Sequence, residues 1–298
     1  MADEIALRTE AEQSTPRVSE FRRVIRLLSQ RGVVTFGFVT ILAFIFLAIF
    51  APYITTYKPY EADLSQALLQ PSRGHLLGTD PLGRDLLTRV IYGTRISLLV
   101  GVAAVFLAGV IGQTMGLAAG YVGGRLNTVV MRFVDALMSF PSILLALAIA
   151  AILGVGTVNL VVALGISMVP SHARLMCAQA LSIRENDYIL AGRVMGASNL
   201  RIMVRHVLPN AFPPIMVMLT LEMGMVILAE AGLSFLGLGV PPPTPTWGVL
   251  VSEGREYLLT NPLVSLAPGV AIMLLVFAFN MVGDGLRDAL DPRLRGRI

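Results

Sequence analysis

Few residues in this chain have the types and spacing to do chemistry. Glu222 and Glu230 stand inside one long apolar segment. Eight residues apart on a helix, they lie ~80° apart around the axis, on roughly one side. Ionisable groups in a membrane are costly and usually face a bundle interior or an aqueous cavity. The two acids could therefore wall a substrate path and meet an amine there. The alternative is a buried structural hydrogen bond, and at Glu230, near the outer end, both readings stand. His75, His172 and His206 are far apart and form no His-Glu-x-x-His pattern, so no metal site is expected. His206 reads as a packing residue on a short helix. Gly-x-Ser-x-Gly is absent, which argues against a serine hydrolase. A phosphate-binding loop needs Gly-xxxx-Gly-Lys-Ser/Thr. The only lysine, in Tyr57-Lys58-Pro59, cannot supply it, so the chain is not expected to bind ATP that way.

The elements that position these residues are membrane helices. Hydrophobic residues are 55%, charged residues 14%, and the mean hydropathy is +0.74. A soluble domain is nearer a quarter charged. Val33 to Ile54 is 22 residues without a charge. At ~1.5 Å per residue it reaches about 33 Å, enough for a hydrocarbon core of ~30 Å. Cys177 is the only cysteine, which excludes an internal disulfide. The net charge of +4 is carried almost wholly by arginine. No basic stripe alternates with aromatics, so nucleic acid is not the expected partner and membrane lipid is.

In chain order, residues 1–32 read as a polar tail. Val18, Phe21, Ile25 and Leu28 recur at helical spacing, which predicts an amphipathic helix on the inner membrane surface. No cleaved leader is expected, because the first apolar run starts late and is too long. Val33–Ile54 is the first span, 55–94 an outer loop, and Ile96–Gly120 the second span. Arg125 and Arg132 fall in a short loop. Residues 136–173 carry no Asp, Glu, Lys or Arg, room for two spans with a hairpin at Gly154–Asn159. Pro141 and Pro170 are candidate kinks. The fifth span covers about Ala211–Leu236, and a stiff loop from Pro241 leads to Trp247. The sixth covers about Leu263–Val282, and a tail follows from Gly283. With the N-terminus inside, the inner segments hold 17 basic residues and the outer ones five, with Arg95 at a boundary. That excess places both termini in the cytoplasm.

Two polar stretches stand out between spans. Inside, over about 180–210, Tyr188, Ala191 and Met195 fall on one side of a short helix that Gly196 ends. Ser198 or Asn199 can cap a second short helix with Arg201, Arg205 and His206, and Pro209 stops it or starts the next element. Helices this short are marginal alone and need a partner's groove. An ordinary inner loop is the plainer reading, since topology alone explains its arginines. Outside, Gly78, Asp80, Gly83, Arg84 and Asp85 combine turn residues with charges able to cap a helix near Asp85, which predicts a short ordered structure.

Ala191-Gly192-xxx-Gly196 followed by His206-Val-Leu208-Pro209 resembles the coupling motif of ABC-importer permeases, Glu-Ala-Ala-xxx-Gly-(nine residues)-Ile-x-Leu-Pro. Leu190, Gly192 and His206 replace the Glu, the second Ala and the Ile. His75-Leu-Leu-Gly-Thr-Asp-Pro-Leu-Gly-Arg-Asp85, Leu233-Ser-Phe-Leu-Gly-Leu-Gly239, Pro243-Thr-Pro-Thr-Trp-Gly248 and Gly283-Asp-Gly-Leu-Arg-Asp-Ala-Leu-Asp-Pro292 resemble the C-type permease of the dipeptide/oligopeptide/nickel ABC importers. The resemblance implies an all-α membrane protein of the type I importer permease fold, with six transmembrane helices, in a bacterial inner membrane. It implies a homologous B-type permease, two cytoplasmic ATPase subunits that hold ATP and magnesium, and an extracytoplasmic substrate-binding protein. It assigns ATPase coupling to Tyr188, Ala191, Gly192, Gly196, Ala197, His206, Leu208 and Pro209, and partner contact to the outer stretch. Peptides are the implied substrates, with glutathione and nickel chelates served by relatives. The rival is a self-sufficient secondary transporter with Glu222 and Glu230 as proton sites, against which no internal repeat is visible. A membrane enzyme is a more distant third.

Overall fold

A computed structural model describes residues 31–290; the interfacial helix expected from Val18 to Leu28 lies outside the described residues. Ten α-helices follow one another there: α1 (Gly32–Ile54), α2 (Leu86–Val122), α3 (Gly124–Met138), α4 (Ser142–Leu153), α5 (Thr157–Arg184), α6 (Asp187–Val194), α7 (Asn199–Ile202), α8 (Leu208–Phe235), α9 (Trp247–Gly254) and α10 (Leu263–Leu290). A π turn, Met203–Val207, joins α7 to α8. No strand forms among the described residues, only an isolated antiparallel bridge between Thr79 and Asp85. Helices are what a hydrocarbon environment demands, since each satisfies its own backbone polar groups.

Five stretches are long and apolar enough to cross a membrane: α1, α2, α5, α10, and Asn199–Phe235, which is α7, the π turn and α8 taken together. A sixth crossing forms when α3 and α4, bent by 88° at their junction, count as one broken span. The described residues thus give five crossings, or the expected six with the bent pair counted as one, and four local expectations do not hold. First, α2 starts at Leu86, ten residues before the expected Ile96, so the loop expected over 55–94 ends at Asp85. Asp85 starts it by accepting a hydrogen bond from the Thr88 N–H at 2.8 Å. Leu86, Thr88, Arg89 and Ile91 are all buried, so the polar residues among them do not mark a loop. Second, Arg125 and Arg132 lie on helix α3, not in a loop. Its apolar residues Leu126, Val129 and Phe133 share one side at helical spacing and stay exposed. Third, α4 has 12 residues, ~18 Å of helix, and cannot span alone. The chain breaks between Met138 and Ser142, next to Pro141, inside the uncharged run. The hairpin after α4 does form: Gly154 and Gly156 take φ of 80° and 146°, and Asn159 Nδ2 donates to the Leu153 carbonyl at 2.8 Å. Fourth, α10 continues past Val282 to Leu290, so the segment from Gly283 is helical that far.

Two helix pairs carry the packing. The first is α2 against α5. Gly112, Gly116 and Gly120 face the α5 backbone at four-residue spacing. A Cβ on them would lie 2.5 Å from His172, 2.2 Å from the Ala173 carbonyl and 2.6 Å from the Cys177 carbonyl. The two backbones touch, as small residues permit between membrane helices. The second is α8 against α10, where Gly224 approaches the Val276 carbonyl and Gly283 receives Leu221. The long α1 lies on α10 through Gly37 and leaves Phe36, Phe46 and Ile49 exposed. Side chains form one core around Trp247, Leu160, Ile227 and Leu275, and a second, on the side expected to face inward, around Tyr121, Met176, Ile189, Ile202 and Val207.

The backbone contact between α2 and α5 predicts a selective sensitivity to added volume. Gly116→Ala puts a methyl where no space exists and should destabilise by about 1–3 kcal/mol. Gly232→Ala on α8 meets nothing within 4 Å and gains helix propensity. Thermal unfolding of the detergent-solubilised chain should show a lower midpoint for Gly116→Ala only. Equal midpoints would remove the packing argument.

Candidate functional site

The Gly78–Asp85 stretch, expected to lie outside, is a knot of buried charge. Gly78 and Gly83 take φ of 80° and 73°, so the chain can double back there. A Cβ at Gly83 would lie 1.8 Å from the Asp63 carbonyl, which fixes glycine at that point. The turn buries Asp80 completely. Its carboxylate accepts from the N–H groups of Leu82 and Arg84, each at 2.9 Å, from Arg84 Nε at 2.6 Å, and from Arg89 Nη1. Arg89 Nη1 also donates to Glu253 of α9 at 2.8 Å. Two arginines thus meet two carboxylates, which is how charge tolerates burial. Asp85 caps α2 with one oxygen and meets His75 Nδ1 at 2.9 Å with the other, while His75 Nε2 faces Gln66 Oε1 at 2.9 Å. Arg89 and Glu253 were not singled out in the sequence, because they lie 164 residues apart in the chain.

A cavity of about 780 Å³ opens between α4, α5 and α8, with α9 and α10 closing it. Its walls are mostly apolar, with Ser142, Ser167, Ser171 and Glu222 as polar points. Glu222 Oε2 lies 2.5 Å from Nε2 of the buried His172 on α5. The approach is close enough for an ion pair but not aligned as a hydrogen bond, and neither ring nitrogen of His172 has a hydrogen-bond partner. Glu230 is placed differently. It is fully buried, accepts from Ser97 Oγ of α2 at 3.3 Å and Ser234 Oγ at 2.9 Å, and does not line the cavity. Ser97 Oγ in turn accepts the Trp247 N–H, so Glu230 joins α8 to α2 and α9. The two acids thus have separate surroundings.

The inner stretch is built of α6, a glycine joint and α7. The Ala197 N–H bonds to the Gly192 carbonyl and the Gly196 N–H to the Arg193 carbonyl, both at 3.0 Å, with Gly196 at φ 79°. This left-handed termination is the one glycine favours. Ser198 Oγ caps α7 by accepting the Arg201 N–H at 3.4 Å. The second helix does not stop at Pro209. It passes through the π turn into α8, and Pro209 lies in the first turn of α8, where a missing N–H is tolerated. His206 lies within the π turn, where its carbonyl accepts from Asn210 Nδ2 at 2.6 Å. Ile189, Ile202 and Val207 are buried against the bundle. Tyr188, Leu190, Val194, Met195, Leu200 and Val204 are exposed, Val194 and Met195 by more than 80%. Ala191 and Gly196 are exposed beside them, while Gly192, Ala197, His206 and Leu208 are partly covered.

Comparison with known proteins fits this architecture. Residues 112–296 match the family model for the binding-protein-dependent transport system inner membrane component. Residues 19–71 match the N-terminal TM domain of oligopeptide transport permease C. The dipeptide transport system permease protein DppC of Alkalihalophilus pseudofirmus is 44% identical over 95% of this chain and 93% of that protein. The di/tripeptide permease DppC of Pseudomonas aeruginosa is 44% identical over 87% of this chain and 88% of its own length. The glutathione permease GsiD of Pectobacterium atrosepticum is 43% identical over 91% and 90%. A chain of the inward-facing MetNI methionine ABC transporter shares the fold, with a TM-score of 0.57 and 22% identity over 69% of this chain and 98% of that one. The chain is a multi-pass inner-membrane permease and belongs to the family of binding-protein-dependent transport system inner membrane components.

Proposed function

We infer that this permease lines half of a peptide path in an ATP-driven importer, with nucleotide state received through Tyr188–Pro209. One observation carries the reading. A single helical run, Asn199–Phe235, leads from the exposed inner stretch to the cavity wall. Glu222 stands ~21 Å along that axis from Leu208. ATP on another subunit can act here only through a contact that differs between two states. The exposed apolar side chains of α6 and α7 are what a partner's groove would cover.

The partners of this reading are a homologous B-type permease, two ATPase subunits holding ATP and magnesium, and an extracytoplasmic binding protein. Both termini and the inner stretch then face the cytoplasm, in line with the arginine distribution. The buried knot at Gly78–Asp85 faces the other side, where it offers a rigid surface to the binding protein or the B-type permease. Di- and oligopeptides are the favoured substrates, since relatives covering nearly the whole chain carry dipeptide names. Glutathione, itself a tripeptide, is the second reading because of the relative named for it. Glu222 supplies the cavity wall with its carboxyl group, and Glu230 serves as a buried fastening between helices.

Three outcomes test this. The purified chain alone should hydrolyse no ATP above background, and robust turnover would sink the subunit reading. Glu222→Gln in the assembled transporter should reduce peptide uptake while the complex still assembles. Normal uptake would return Glu222 to a structural role. Gly196→Leu forces a bulky residue to positive φ at a cost of about 1 kcal/mol or more, yet its Cβ meets nothing within 4 Å in this chain. The variant should insert normally but lose ATPase co-purification or uptake. Full transport with bound ATPases would show that the stretch does not couple.

A further inference from the structure

Tyr121 is a buried aromatic one turn-position beyond Gly120, at the inner end of α2, and the transport reading above does not use it. The residue is 4% exposed. Its hydroxyl donates to Asn199 Oδ1 at the start of α7, at 3.2 Å, and accepts from Arg193 Nε near the end of α6, at 3.3 Å. The Arg193 guanidinium also lies over the ring, 5.0 Å from its centre. One side chain of α2 therefore grips both short helices, on either side of the Gly196 joint. Nearby, Arg184 of α5 donates to the Gly120 carbonyl at 3.0 Å.

The consequence depends on which helices can move apart. Backbone contact at Gly112, Gly116 and Gly120 fuses α2 to α5. Interfaces this tight shift as units instead of deforming. The inner stretch has a second outlet, its covalent run through the π turn into α8. The cavity lies between these two bodies, with Ser167 and Ser171 on α5 and Glu222 on α8. A displacement of α6 and α7 that reached α8 alone would shear the cavity. One that reached both bodies would move its walls in register.

We propose that Tyr121 is a positioning residue that delivers the movement of the inner stretch to the α2–α5 body, and so sets how α5 and α8 move relative to each other in each transport cycle. The hydroxyl is the active part, because it alone bridges Arg193 and Asn199. The ring supplies packing in the inner core with Met176, Ile189 and Ile202. The inference rests on the reading of Tyr188–Pro209 as the ATPase contact.

The test uses the assembled transporter, with its ATPases and binding protein, in vesicles, and reads peptide uptake and ATP hydrolysis on the same sample. Tyr121→Phe keeps the ring and removes both hydrogen bonds. Hydrolysis should continue, with peptide moved per ATP falling about fivefold or more, the lower end of typical coupling between sites. Asn199→Ala should lower the ratio too, and the double variant should be no worse than the worse single one. A smaller amount of complex with an unchanged ratio would mean a packing role and overturn the proposal, as would independent losses that multiply in the double variant. Gly196→Leu, run alongside, separates the two levels. If it uncouples and Tyr121→Phe does not, only the role of Tyr121 falls. If neither alters the ratio, the coupling reading falls and takes this inference with it.

Discussion

The close approach of α2 and α5 is the constraint on which the rest of the structure depends. Three glycines let two membrane helices meet backbone to backbone, so dispersion and not burial from water holds them. That contact gives the bundle a rigid body. On its outer end rests the charge knot with α9, and on its inner end the short helices α6 and α7. The α8–α10 pair is the second body, and the cavity fills the gap between α5 and α8.

Charge is handled in two ways, and the difference separates a fully fastened cluster from an acid at the cavity. At the outer knot, Asp80 and Glu253 answer Arg84 and Arg89, and the Asp80 carboxylate has four donors. Removing one member would strand its partner at a cost of ~3–5 kcal/mol. Such a cluster specifies one arrangement of the outer loop. The His172–Glu222 pair is less complete: the carboxylate reaches the cavity, and the imidazole has no hydrogen bond to hold it. An incompletely satisfied acid facing a cavity is open to a further polar contact in a way that Glu230 is not.

The crossings were legible in the sequence because predominantly apolar runs of some twenty residues have one physical meaning. The caps were legible as well, since Asp85, Ser198 and Gly196 are residue types with a local job. What escaped was set by tertiary contact. The first turns of α2 contain Arg89, Thr94 and Arg95 and read as loop, yet α9 and Glu253 cover Arg89. The arginines of α3 masked an amphipathic helix. Pro209 read as a boundary, whereas the π turn before it lets the helix continue. Pairs such as Arg84 with Glu253, 169 residues apart, and Tyr121 with Asn199, 78 apart, follow no local pattern.

The central claim is that the inner stretch converts nucleotide state into relative movement of α5 and α8. It is tested most directly by distance measurement across the cavity. Spin labels at Ser171 and Met225, with Cys177 replaced by serine, would report that separation in the assembled transporter. The account predicts a distance distribution that shifts when ATP binds and returns after hydrolysis. A distribution that stays the same in every nucleotide state, with the ATPases bound and uptake intact, would contradict it.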